Sequence, residues 1–462
     1  MAASEDLERL AGTAVEAALG AGAADAEAFA TDSTGLEARI YEGEVESLSE
    51  AGERGLGVRV WIEGRAGYAY GTDLSAEGLG RIAAGAVETA RISDPDEFAA
   101  APDPAEPGRE PAAIAGLADP AAAEWTTERK VELAKAIEGA ARAADERVIG
   151  VETTVFVDER ASVALASSRG VAGAYELTSC YAYLQAIAAA GGDDADRQTG
   201  LGFGIGRSPA ALDPEAIGRE AAERAAALLG ASKPASRSCP VVLDETVAAS
   251  FVGFVAGLLC ADAVQRGRSP FADRLAETIA SEALGLADDG RRPEGLASAP
   301  FDGEGTPTGR TPLIEGGILR AYLHDSYTAR REGGQWRSTA SAARSGYRSP
   351  PSVSPSNLIV APGELSFEEL LDEAGEGIYV TEVAGLHSGV NPVSGTFSVG
   401  ATGRAISGGE LAEPADEFTI ASDLPAMLAA IRAAGSTPRW VPFGGSVSTP
   451  ALLVGEMAIG GG

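Results

Sequence analysis

The sequence predicts an α+β protein of two domains: an N-terminal α/β domain with antiparallel strands and helices (residues 1–235) and a C-terminal β-rich, barrel- or sandwich-like domain (residues 236–462). Three observations predict it. Strand-like runs cluster and do not alternate regularly with helices, which favours antiparallel sheets. A helical pattern over 214–229 has complete punctuation, with Asp213 as cap, Pro214 in the first turn and Gly230 just past the end, and the stretch 231–238 with Lys233-Pro234 follows it as the boundary. Beyond Cys239 the chain becomes rich in Gly, Ser, Thr and Pro with short apolar runs, as β-dominated domains are.

Residues 4–20 read as a helix capped by Ser4, with Leu7, Leu10, Ala11, Ala14 and Ala18 on one face and Gly20 ending it. Short strand runs at 26–31, 36–41, 57–62 and 67–70, broken by glycines, read as an antiparallel meander. A helix over 76–91 follows. Pro95, Pro102, Pro104, Pro107, Pro111 and Pro120 then exclude regular structure from a surface connection. Thr126 or Thr127 caps a helix bearing Leu133, Ile137, Ala140, Ala141 and Ala144 on one face. Val151, Thr153, Val155 and Val157 alternate as a strand, and Ser168-Arg169-Gly170 reads as a hairpin turn. In the second half helices are expected at 246–261, 271–283, 366–374 (capped by Ser366) and 424–434.

Composition bounds the function. The chain has 462 residues, a formal charge of −32 and lysine only at Lys130, Lys135 and Lys233, so no basic cluster is present to neutralise a nucleic-acid backbone. Nucleic acid is therefore not an expected partner. Three cysteines, Cys180, Cys239 and Cys260, argue against a disulfide framework and for the cytoplasm. The acidic N-terminus does not resemble an export signal. The apolar run 246–261 is shorter than the roughly 20 residues a bilayer requires, so no membrane association is expected.

Only two histidines exist, His324 and His387, and neither stands at metal-motif spacing with other ligands. No catalytic residue, metal site or cofactor is expected in this chain. Asp288-Asp289 and Asp302/Glu304 could hold a hard cation but read more simply as solvated acidic turns. His387 lies in a glycine-rich loop with Ser388, Gly389, Asn391 and Ser394, which reads either as a peptide groove exposing backbone N–H groups or as a self-bonded structural loop. His324 reads as a packing or hydrogen-bonding residue.

A set of phrases then runs in a recognisable order: Gly55-Leu56-Gly57-Val58-Arg59-Val60, Asp288-Asp289-Gly290, Phe301-Asp302-Gly303-Glu304-Gly305-Thr306-Pro307, Leu313-Ile314-Glu315-Gly316-Gly317, and the His387 loop through Phe397-Ser398-Val399-Gly400-Ala401-Thr402-Gly403. Together they resemble the TldD/PmbA (modulator of DNA gyrase) family, on its PmbA/TldE side. In that family the TldD-type subunit carries His-Glu-x-x-x-His and a later cysteine that hold zinc for peptide hydrolysis. Here Val252, Gly253 and Gly257 occupy the motif positions, and no cysteine follows Cys260. The resemblance implies a subunit inert alone, paired as a heterodimer with a zinc-bearing TldD-like partner to process unfolded peptides. The alternative is a homodimeric peptide-binding or scaffold protein without catalysis. A third reading is a hydrolase using His387 with Ser388 or Ser394.

Overall fold

A computed structural model describes residues 2–103, 112–191, 196–443 and 445–462. Pro104, Pro107 and Pro111 of the expected connection lie outside the described residues.

The first half is one sheet with helices on a single face. Its elements are α1 (Ala2–Gly20), β1 (Asp25–Tyr41), β2 (Glu44–Ile62), β3 (Arg65–Gly71), α2 (Ala76–Ile92), α3 (Thr127–Ala144), β4 (Val148–Ser167), β5 (Ala172–Ala189), β6 (Arg197–Gly206) and α4 (Pro214–Ala227). The strands order β3-β2-β1-β4-β5-β6, with every neighbour antiparallel. Even-numbered residues of β1 point to the helices: Ala26, Ala28 and Ala30 meet α1 and α2, and Leu36, Ala38 and Ile40 meet α3 and α4. The opposite face carries Phe29, Val163 and Leu165, which pack on Phe301 and Tyr347 from the second half.

Local signals hold where the chain punctuates itself. Ser75, Thr126 and Asp213 cap α2, α3 and α4, and Gly230 adopts φ +78° after α4. Ser4 does not cap α1, which begins two residues earlier. The expected runs 26–31 and 36–41 are one strand of 17 residues, because β2 and β4 bond β1 on both sides through Gly35.

The second half contains β7 (Arg237–Leu243), α5 (Glu245–Leu258), α6 (Ala261–Gln265), β8 (Leu286–Asp289), β9 (Arg310–Glu315), β10 (Ile318–Leu319), α7 (Ser326–Glu332), β11 (Ala342–Ala343), β12 (Ser352–Val353), β13 (Asn357–Val360), α8 (Phe367–Ala374), β14 (Gly377–Ala384), α9 (Leu386–Gly389), β15 (Thr396–Ser407), β16 (Glu410–Asp423), α10 (Leu424–Ala429), β17 (Ile431–Ala434), β18 (Arg439–Val441), β19 (Ser446–Thr449) and β20 (Leu452–Gly460). One sheet runs β16-β15-β14-β7-β20, and a β16–β20 pairing closes it into a five-stranded barrel. A second sheet runs β10-β9-β8-β13-β19-β18. Helix α5 lies between the two, in a core that includes Val241, Leu286, Leu358, Val380, Val447 and Val454.

Three helix expectations change here. No helix forms over 271–283: the amides of Ala276, Ile279 and Ser281 donate to Leu319, Gly317 and Leu428, and Asp273 and Ala276 adopt positive φ. The run 246–261 breaks at Leu259 and Cys260, where Leu323 bonds to both flanks (Leu323 N to Leu259 O, 3.0 Å; Ala261 N to Leu323 O, 2.8 Å). The run 424–434 divides into α10 and β17, because β20 offers 431–434 a strand partner.

Candidate functional site

Helix α5 bears the positions singled out from the sequence. Its N-terminus is fixed by Asp244, whose carboxylate accepts from Thr246 N (2.9 Å), Thr246 Oγ1 (2.6 Å), Tyr379 Oη (2.7 Å) and Arg224 (3.0 Å). Burial pushes that carboxyl upward, but Arg224, Thr246 and Tyr379 outweigh it and hold the group below its usual value. Adjacent Glu245 is pushed up to about 7 by burial and by the Asp244 charge.

The three motif positions do not converge on this helix. Val252 is 6% exposed and faces a cavity of about 10 Å³ lined by Phe251, Val255, Leu286, Met427 and Leu452, at or below the room one water needs. Residues five apart on an α-helix sit about 140° apart, so Gly257 faces outward, with no atom within 4 Å of where its Cβ would stand. Gly253 is half-buried. None of the three side chains offers a lone pair, so they do not fit a metal. Among the described residues no group of three or more His, Cys, Asp and Glu side chains is placed to hold one.

The outward stripe of α5, Thr246 and Ser250, instead faces a 220 Å³ cleft shared with Gln185, Arg224, Thr381 and Phe443. Cys260, past the end of the helix, is buried, and its thiol is pushed up to about 12. His324 is fully buried, burial lowers its pKa, and its ring lies 5.2 Å from that of Trp336, tilted by 38°. Of the two roles expected from the sequence it packs, since neither ring nitrogen has a hydrogen-bond partner among the described residues.

The His387 loop is exposed and bonded to itself. Asn391 Oδ1 accepts from Val393 N (2.9 Å) and Ser394 N (3.2 Å), while Ser388 Oγ donates to Gly385 O (3.2 Å). Ser394 Oγ pairs with Thr396 Oγ1 (2.8 Å) and Gly389 N donates to Gly385 O (2.7 Å). His387 engages neither hydroxyl, so no nucleophile–base pair is assembled here.

The acidic phrases need correction. Asp288, Asp289, Asp302 and Glu304 are buried, not solvated turns, because internal donors fill their lone pairs. Asp288 accepts from Ser356 N (2.8 Å) and Oγ (2.7 Å), and Asp302 from the amides of Glu304, Thr306 and Ala342. Glu304 accepts from Ser326 N (2.9 Å) and from Arg59 (3.0 Å), which also reaches Glu27 (3.0 Å). Arg344 closes the network by donating to Glu27 and, at 2.7 Å, to Gly303 O. Burial pushes Glu304 up, but Arg59 and the Ser326 amide outweigh it and keep it ionised. A 420 Å³ cavity of mixed charge opens beside this network, lined by Arg59, Trp61, Asp96, Asp325, Tyr327 and Arg330. Sequence reasoning missed the junction. Its only local trace was Arg59 amid glycines and the tight Asp302-Gly303-Glu304-Gly305 spacing.

Family models described as PmbA/TldA metallopeptidase domain 1, central domain and C-terminal domain match residues 26–90, 120–229 and 236–461. Metalloprotease PmbA of Escherichia coli is 32% identical over an alignment covering 98% of this chain and 96% of that protein. The chain belongs to the PmbA/TldD family. A Haemophilus influenzae PmbA homologue is 27% identical over 100% of this chain and 97% of its own length. Among solved structures, a candidate modulator of DNA gyrase from Thermotoga maritima superposes with a TM-score of 0.86 at 27% identity, covering 98% of this chain and 99% of its own. TldE from Thermococcus kodakarensis, at 22% identity and covering 97% and 99% of the two chains, shares the fold with a TM-score of 0.87. Among the described residues no helix is long and apolar enough to cross a membrane.

Proposed function

We propose that this PmbA/TldD-family chain is the non-metal-binding subunit of a heterodimeric metalloprotease, and that a partner bearing His-Glu-x-x-x-His supplies the zinc and the general base. One observation carries the reading: Val252, Gly253 and Gly257 stand at the three motif positions of α5, and none of their side chains offers a ligand or a base. Gly257 leaves open space beside α5, and the 220 Å³ cleft, where Gln185, Arg224, Thr246, Ser250 and Glu382 stand among Leu201, Val383 and Phe443, suits the main chain of an extended peptide. In this reading the chain contributes one wall of a peptide-binding space and the partner does the chemistry.

The test is to purify the chain alone and together with a His-Glu-x-x-x-His partner, then measure bound zinc and cleavage of an unfolded peptide. The expected result is activity and one zinc per heterodimer in the mixture, and neither in the isolated chain. Stoichiometric zinc with peptidase activity in the isolated chain overturns the assignment. A stable homodimer that never joins such a partner supports the scaffold alternative instead.

A further inference from the structure

The pairing registers leave one long strand edge open. Strand β2 pairs with β1 from Glu44 to Trp61, with one bulge that leaves Glu46 without a β1 partner, but β3 covers it only from Leu56 to Ile62. Residues 44–54 therefore have a neighbour on one side only, and all are exposed. At about 3.4 Å per residue this edge extends roughly 37 Å. The bulge at Glu46 leaves residues 47–54 as an unbroken run, and proteins ordinarily shorten or cover such an edge.

Two features define what fits there. Register places Leu48 opposite Ala38 and Val45 opposite Ile40, so both continue the apolar row that α3 and α4 cover on β1, yet they are 48% and 41% exposed. An added strand would extend that row by one rank. The segment also carries Glu44, Glu46, Glu50 and Glu53 against the single cation Arg54. Glu53 pairs with Arg348 (2.8 Å) and Glu44 stands 4.0 Å from Lys135, whereas Glu46 and Glu50 form no ion pair among the described residues. A second copy of this chain would bring the same glutamates against them, with a charge of −32 on each molecule.

We propose that the 44–54 edge of β2 takes up a basic, extended polypeptide segment as an added strand. Main-chain hydrogen bonds supply the affinity, Val45 and Leu48 receive apolar side chains, Glu50, opposite Leu36 on that same face, selects Lys or Arg beside them, and Glu46 does so at the bulge. This rests on the peptide-handling reading for its biological purpose, but the binding is a property of the isolated chain. It is therefore measured without a partner subunit, and failure here leaves the heterodimer test standing.

The experiment titrates the full chain into a fluorescent ten-residue peptide in which Val and Lys alternate along one face, at every second position, with the same peptide carrying Glu for Lys as control. Hydrogen exchange then maps the complex. Expected are saturable binding of the basic peptide only, amide protection on residues 44–54, and roughly tenfold weaker binding by the Glu46→Lys/Glu50→Lys chain, as two reversed cross-strand charge pairs should give. Protection elsewhere on the acidic surface, unchanged affinity in the variant, or self-association through this edge each overturns the proposal. An unchanged thermal midpoint confirms that the exposed substitutions leave the fold intact.

Discussion

Helix α5 and the Arg59 junction are both enclosed, and both coincide with signature phrases of the family, yet they are built in opposite ways. Around Val252 the interior is hydrocarbon closed down to about 10 Å³, with charge admitted only at the Asp244 cap. Around Glu304 four charged side chains from the two halves of the chain meet inside the protein, each carboxylate met by guanidinium or amide donors. Enclosure alone does not decide what an interior tolerates: ions persist where several donors converge on them, and elsewhere only methyl and ring carbons remain.

The largest expected effect falls on the junction. Arg59→Ala leaves Glu304 with the Ser326 amide as its remaining described donor, and breaking a buried pair from one side should cost about 3–5 kcal/mol in urea unfolding. A loss below about 1 kcal/mol would mean that the junction behaves like an exposed pair. Next comes α5: Val252→His forces a larger polar ring into a filled apolar space and should cost about 1–3 kcal/mol, without gain of zinc by metal analysis. Stabilisation by that change would show that the space around α5 is not closed.

A smaller effect is expected at the helix start. The folded chain retains the Glu245 proton up to about pH 7, whereas the usual value is 4.5, so this group's stabilising contribution is complete below pH 4.5 and lost as pH rises through 7. Glu245→Gln should therefore gain thermal midpoint relative to the parent as pH goes from 5 to 8, and a constant difference would place Glu245 in ordinary solvent. The smallest change is Gly257→Ala: its Cβ meets open space on a helix, and a gain of about 0.5–1 kcal/mol is expected by thermal melting. A loss would show that the space beside Gly257 is not open.

Much of this contrast was legible in the residues. The apolar makeup of α5, the Asp213-Pro214 start and Gly230 stop of α4, and the Ser366 capping box of α8 (Glu369 N to Ser366 Oγ, 3.2 Å) are signals spanning only a few positions, and they hold. The clustering of strand runs likewise pointed to antiparallel sheets. Which of the two β-rich alternatives formed was not legible, since the pairing of β16 with β20 that closes the barrel joins segments with no shared local mark.

The sequence by itself determined what each short stretch prefers: where helices begin and stop, which face is apolar, and that positions 252, 253 and 257 of α5 carry no liganding side-chain atom. Tertiary structure alone decided how distant groups satisfy one another. Arg59 and Glu304 are 245 positions apart, residues 271–283 give up a helix to bond Gly317, Leu319 and Leu428, and β3 stops short of the first half of β2. The physical reason is that capping and amphipathicity act within one or two turns of chain, while buried charge, strand register and an uncovered edge depend on which segments the completed core brings side by side.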